Sequence, residues 1–452
     1  MSEPAYFRLS ADQVGLVDHV KGAPRAVLNL PCRIDLESEI DEQMALEAMK
    51  ISMARLPYCR LRLHEIGEDE FLQYYYDGEA EGIEIIDLSD KTDDDVTDYV
   101  LEQSSETFEN NCNGSQLWKF KLIRKPGGGH AIYYCGYHII MDTFGVMYAI
   151  TYFDKVYSAL KNGRELPPEG MGPEKYIEKS WEYKNGPKNQ ADLDWWATQF
   201  ETEPHFASMN PMPSPEYVEG KNWGKAQELS QLAAESMPRK IPKELVAKVN
   251  AAALDTNVSP MIYYGLALRT WLANNTGCTD VTLGTTGARR STIVYRNCGM
   301  TPAHLITWRS DIANDTPFKE GILRLSTIQH DIFRHISSDL ADYAKPVFEK
   351  YGCPADGIYR SLVYTYQPYF NVENVDLKFT AEHVNVGFTP YPLYLNVMPK
   401  DASGDLWADY IYAVGYLQPE NLENYHKFML KFVEMGIDNP QMTIDELKKA
   451  CL

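Results

Sequence analysis

His138 and Asp142 are the residues whose types and spacing best suit catalysis. They lie in the run Tyr137-His138-Ile139-Ile140-Met141-Asp142-Thr143-Phe144-Gly145. Histidine has an ordinary pKa of about 6.5, so near neutral pH its ring is free to accept a proton. His138 closes a continuous apolar stretch, and a helical pattern begins at Asp142 and Thr143, either of which suits an N-cap. A histidine at a strand end, facing the gap before a helix, is well placed for proton transfer. The same residues also read as a core histidine satisfied by hydrogen bonds and an aspartate that only caps a helix. The spacing alone leaves both readings open.

Other chemistries lack their residues. There is no Gly-x-x-x-x-Gly-Lys-Ser/Thr or Gly-x-Gly-x-x-Gly loop, no His-Glu-x-x-His, no EF-hand loop and no Gly-x-Ser-x-Gly elbow. The run Gly127 to Gly129 falls between two strand patterns and reads as a turn. The acidic run Asp93, Asp94, Asp95 and Asp98 reads as a solvated helix N-terminus, where carboxylates meet the positive end of the dipole, and no metal is assigned there.

The elements that must position His138 alternate strand and helix patterns. Strands are expected at residues 25–34, 60–64, 71–76, 117–124 and 130–139, the last two forming a hairpin across Pro126-Gly127-Gly128-Gly129. Helices are expected at 37–56, 94–108 and 143–160. Prolines crowd the stretch from Leu166 to Pro242, which reads as a structured bridge with short helices at 173–183 and 192–200. Beyond it, helices are expected at 242–254, 260–274, 317–335, 419–436 and 444–451. Ser259 caps the second of these and Pro260 opens it. Strands are expected at 280–284, 304–311, 361–367, 391–397 and 406–413. The resulting division is 1–165, a bridge 166–241, and 242–452.

The chain has 452 residues, 43 Lys and Arg against 64 Asp and Glu, and a net charge of −21. At roughly 150 residues per domain this allows two or three domains. With 44% hydrophobic residues the chain is globular, and its negative charge repels a polyphosphate backbone, so nucleic acid is not an expected partner. Eight scattered cysteines, no Cys-x-x-Cys pair and no signal-like start fit a cytoplasmic location. The most apolar stretch, about residues 131–141, is too short to cross a bilayer.

The motif resembles the His-His-x-x-x-Asp-Gly signature of nonribosomal peptide synthetase condensation domains, which share the chloramphenicol acetyltransferase fold. Tyr137 stands at the first His, His138 at the second, Asp142 at the Asp and Thr143 at the Gly. Further matches follow in the family's order. Asp192 to Phe200 is similar to its Tyr-Trp helix, and Ser259 to Gly287 to its Ser-Pro helix and following strand. Ala288-Arg289-Arg290 falls at its Gly-Arg, with Arg290 the better match. Leu362 to Pro368 resembles the strand ending in Gln, here Gln367, and Leu417 to Leu430 with Asp438-Asn439-Pro440 resembles the closing helix. The resemblance runs from about residue 25 to the C-terminus.

This resemblance implies an α/β fold with mixed sheets, built as two chloramphenicol-acetyltransferase-like lobes in a V-shaped pseudo-dimer, with His138 in a tunnel between them. It implies a free-standing acyltransferase that moves an acyl group from a phosphopantetheine thioester to an amine or hydroxyl, making an amide or ester. A carrier protein is the implied partner and no tightly bound cofactor is expected. A coenzyme A-dependent O- or N-acyltransferase and a catalytically silent carrier-docking module are the alternatives. His138 would act as base or hold the nucleophile in line. Asp142 would pair with Arg290 across the lobes and so fix the loop that carries His138. The backbone amides of Thr143 and Gly145, at a helix start, would face the oxyanion. Tyr137, Thr365, Gln367 and Asn396 are the expected substrate-facing residues. An acidic carrier would need a local basic patch, for which Lys119, Lys121, Arg124 and Lys125 are the first candidates.

Overall fold

The computed structural model describes residues 4–20, 24–225, 233–354, 356–367, 376–400 and 403–452. Strand His130–Tyr137 is the apolar run that leads to His138, and it pairs antiparallel with Trp118–Arg124 on one side and Asn29–Leu36 on the other. It is central in a five-stranded sheet ordered Phe379–His383, Asn29–Leu36, His130–Tyr137, Trp118–Arg124, Glu84–Asp87. That position explains its near-continuous apolar sequence, because a strand covered on both faces has no solvent side to alternate toward. The hairpin turn is made by Gly127 to Gly129, all at positive φ, where a Cβ would be strained. Helices Glu42–Arg55 and Thr143–Asn162 pack on each other and on this sheet. A smaller three-stranded sheet pairs Glu70–Tyr75 with Phe7–Arg8 and Leu61–Gly67.

A six-stranded mixed sheet forms a second core, ordered His304–Asp311, Asp280–Gly287, Leu362–Tyr366, Leu393–Met398, Leu406–Ala413, Ala234–Ile241. Strand Leu362–Tyr366 runs parallel to both its neighbours, and the remaining pairs are antiparallel. The helix Pro260–Thr276 is buried along most of its length within this core. Its ends follow the expected chemistry: Ser259 caps, Pro260 takes the first turn and Gly277 closes in the left-handed conformation.

The chain divides into two compact units. The first runs through Gly186 and takes in Ala288–Ala303 and the stretch around strand Phe379–His383, ending at Phe388; the second holds the rest. This differs from the contiguous division expected from sequence. The stretch expected as a bridge is shared out: helix Glu174–Lys184 counts with the first unit, helix Pro187–Gln199 and strand Ala234–Ile241 with the second. Packing explains the absorption, since Trp196 stacks on Tyr343 at 4.2 Å and Ala234–Ile241 pairs with Leu406–Ala413. Residues 226–232 of that stretch, and Pro368 of the Gln-ending strand, lie outside the described residues.

All eight cysteines are free thiols. Among the described residues, no helix is long and apolar enough to cross a membrane, and no three His, Cys, Asp or Glu residues are grouped to hold a metal. The acidic run at Asp93 opens helix Asp93–Ser105, where Thr92 and Asp95 form a capping box.

Candidate active site

His138 follows directly on the central strand. Its N–H donates to Leu28 O at 2.8 Å, and its carbonyl accepts from the hydroxyl of Thr301. The residue as a whole stays partly accessible, but its Nδ1 is shut off from solvent and has no hydrogen-bond partner among the described residues. The residue's own main chain favours the protonated ring. Burial is the larger influence and lowers the imidazole pKa below its ordinary value; the main chain and Asp142 oppose it.

Asp142 is the N-cap of helix Thr143–Asn162, and its Oδ1 accepts from Gly145 N–H at 3.0 Å. The same oxygen accepts from Arg290 Nη2 at 2.6 Å in a pair almost wholly removed from water. Arg290 also donates to Tyr295 O at 2.6 Å and Met300 O at 2.8 Å, and its guanidinium lies 5.1 Å from the centre of the Phe144 ring. The Asp142 pair and the Phe144 ring contact therefore bind residues 288–303 to the loop and helix start after His138, while the Tyr295 and Met300 carbonyls fix Arg290 within its own segment. Arg290 belongs to the same unit as Asp142, so the pair does not join two lobes as expected. Arg289, the weaker match in sequence, has a different partner: its Nη1 meets Asp12 Oδ1 at 2.6 Å.

The other expected site residues divide sharply. Gly145 N–H is taken by the Asp142 cap, so it does not face an oxyanion. Thr143 keeps its expected place at the helix start, where the first-turn amides of Thr143 and Phe144 have no intrahelical acceptor by position. Gly145 has a steric role instead, since a Cβ there would sit 2.1 Å from Gly299 O. Tyr137 is fully buried, with its ring 5.5 Å from that of Phe108, and is part of the core, not a substrate-facing residue. Thr365 and Asn396 lie opposite each other in the second unit's sheet and are buried, with Thr365 Oγ1 donating to Asn396 Oδ1 at 2.8 Å. Gln367 is half-buried just past that strand, its N–H on Val397 O at 2.8 Å.

The basic cluster is neutralised. Lys119 meets Glu106 and Lys125 meets Asp35, each at 2.8 Å, and Lys121 pairs with Glu84. Arg124 grips both oxygens of Glu42 at 2.7 Å and also meets Asp87. Arg124 and His130 together hold the Glu42 carboxyl down at about 2. The patch expected to receive an acidic carrier is a row of ion pairs.

The Condensation domain family model matches residues 24–450. The chain belongs to the condensation domain family. Surfactin synthase subunit 1 of Bacillus subtilis (strain 168) is 21% identical over 422 residues, covering 90% of this chain and 11% of that protein. This condensation domain thus spans a small part of the curated relative it matches. The first condensation domain of the CDA synthetase superposes with a TM-score of 0.81 at 17% identity, over 98% of both chains. The starter condensation domain of rhizomide synthetase, solved in complex with C8-CoA, superposes at 0.80 with 17% identity, over 98% of this chain and 97% of its own. The fold is therefore the mixed-sheet α/β fold that the resemblance implied.

Sequence reasoning did not find Thr301, Tyr176 and Asp12. Tyr176 OH donates to Asp12 Oδ2 at 2.6 Å and lies 2.9 Å from Thr301 O. Ser10-x-x-Gln13 is a legible capping box for the helix that carries Asp12, whereas an isolated Thr301 gave no signal.

Proposed function

We propose that this condensation domain is an acyltransferase that uses His138 to join an acyl thioester to an amine or hydroxyl acceptor. The observation that carries this reading is the disposition of the His138 ring. His138 follows directly on the central strand beside the start of helix Thr143–Asn162, and with Nδ1 shut off from solvent and unpartnered among the described residues, Nε2 is the nitrogen left to meet an acceptor. Burial keeps that ring neutral at physiological pH. Nε2 takes the proton from the acceptor nitrogen or oxygen as it attacks the thioester carbon. The C–S bond then breaks and the proton leaves with the sulfur as a thiol. The first-turn amides of Thr143 and Phe144 are the donors suited to the intermediate's oxyanion. Asp142 and Arg290 position the loop and take no proton.

The donor is an acyl group on a phosphopantetheine arm, either of a carrier protein or of coenzyme A. The kinship to a synthetase subunit supports the carrier, and the rhizomide starter domain's complex with C8-CoA supports the second source. Carrier-bound and coenzyme A-bound acyl donors, each offered with amine and alcohol acceptors, test the reading. Transfer that His138→Ala reduces by about 100-fold or more is expected, and turnover unchanged in that variant overturns the role of His138.

A further inference from the structure

The chain passes from strand His130–Tyr137 to the Asp142 cap in a short turn, and two consecutive carbonyls of that turn are held by side chains remote in the sequence. The His138 carbonyl accepts from the Thr301 hydroxyl, and the Ile139 carbonyl accepts from Gln13 Nε2 at 2.9 Å. Gln13 is wholly buried, and both ends of its amide are used. Oε1 accepts from the backbone N–H of Ser10 at 2.7 Å, completing the capping box that opens helix Ala11–His19. Nε2 has two hydrogens, one for Ile139 O and one for Gln73 Oε1 at 3.2 Å. With a backbone N–H at one end and a backbone carbonyl at the other, a single orientation of the amide satisfies both. A capping box is served equally by Glu, so the nitrogen that distinguishes Gln is the atom spent on Ile139 O. The helix that carries it is anchored separately: Ala11 N–H donates to Ser180 Oγ at 3.0 Å, and Asp12 binds Arg289 and Tyr176. Buried Gln73 in turn donates to Arg8 O at 3.0 Å. The Gln13 amide is thus a fixed point against which the turn is set.

We propose that Gln13 is a positioning residue for His138: its side-chain amide holds the Ile139 carbonyl and so fixes the turn that presents the imidazole. The inference rests on the acyl-transfer reading for its consequence in catalysis, but the positioning itself is a property of the resting protein. Before the ring, the backbone is held by the sheet, with His138 N–H on Leu28 O at 2.8 Å. After the ring it is held by Thr301 and Gln13. Without the Gln13 amide, Ile139 O is a carbonyl in a dry site with no donor, and the peptide unit gains by rotating toward another one. That rotation is passed to the neighbouring His138 and swings its ring. A displacement on the order of 1 Å is enough to take a proton acceptor out of line with the attacking atom.

Gln13→Met keeps the length of the side chain and removes the amide, with Gln13→Leu in its place if that protein does not fold. Val17→Ala is the control, because Val17 is buried in the same helix and its loss weakens the packing without touching the amide. With an accepted donor, Gln13→Met should lower kcat about 10-fold with donor KM unchanged. Val17→Ala should lower the melting temperature and leave kcat within about two-fold. The full chain, labelled with 13C-histidine, gives a second readout by 1H–13C NMR at about pH 8, where imidazole is neutral; the signal lost in His138→Ala assigns the ring. That signal should shift or broaden in Gln13→Met and stay in place in Val17→Ala. The positioning role is overturned if the His138 signal of the amide-less variant matches wild type, if its kcat does, or if Val17→Ala lowers kcat as far. An absence of acyl transfer in every protein, wild type included, would instead sink the acyl-transfer reading, and the ring signals would still decide the role of Gln13.

Discussion

A histidine that acts as a base works only above its own pKa, so the depressed value of His138 has a direction in kinetics. The ring stays neutral as pH falls below the ordinary imidazole value, because burial penalises its charged form more than Asp142 and the main chain favour it. The acid limb of kcat/KM is therefore expected below about pH 6.5. A limb at or above that value would contradict the burial argument. Arg290 is tested by stability. Its partner Asp142 is buried, so Arg290→Ala leaves a carboxylate without its counter-charge in a dry site. Breaking such a pair costs about 3 to 5 kcal/mol, read by urea denaturation. Arg290→Lys should recover part of this, since one ammonium cannot hold Asp142, Tyr295 O and Met300 O in the same fork. A loss below about 1 kcal/mol in Arg290→Ala would mean that water reaches the pair.

At the scale of elements, the helix that starts beside His138 depends on a close backbone approach. Gly145 packs against Gly299 O so tightly that a methyl group cannot enter. Gly145→Ala should cost about 1 to 3 kcal/mol and displace residues 288–303, lowering kcat as well as melting temperature. Gly163, at the far end of the same helix, is left-handed with open space around it. Gly163→Ala should therefore cost about 1 kcal/mol through its backbone alone and leave kcat unchanged. Equal kcat in the two variants would remove the link between the Gly145 contact and the site. These elements also show what the sequence made legible. The hairpin before His138, the Asp142 cap and the Ser259-Pro260 start are local signals, and each was read from neighbouring residues. Strand Phe379–His383 was missed because its partner, Asn29–Leu36, is remote in the chain. Strand Ala234–Ile241 was obscured by Pro238, which an edge strand tolerates. Helix Leu340–Tyr351 was obscured by its internal Pro346. His138 and Asp142 stood out by type and spacing, and Arg290 by family resemblance. Thr301 did not stand out, since what marks it is a carbonyl 163 positions away.

For the whole molecule, the net charge of −21 constrains how any anionic donor arrives. A carrier protein with an acidic face and the phosphates of coenzyme A are both repelled by the surface average. The four cations offered by the sequence as a receiving patch do not offset this, because each already faces a carboxylate. Exchanging Lys121 for Glu should therefore leave the KM of a carrier-bound donor within about two-fold, as exposed pairs contribute little. Long-range repulsion then governs the encounter, and salt relieves it. Raising ionic strength from about 0.01 to 0.15 M shortens the screening length from about 30 to 8 Å. The kcat/KM for either donor should rise over that range, most steeply for the larger and more highly charged carrier. A fall would show that a locally positive surface, formed by cations other than these four, steers the donor in against the average field.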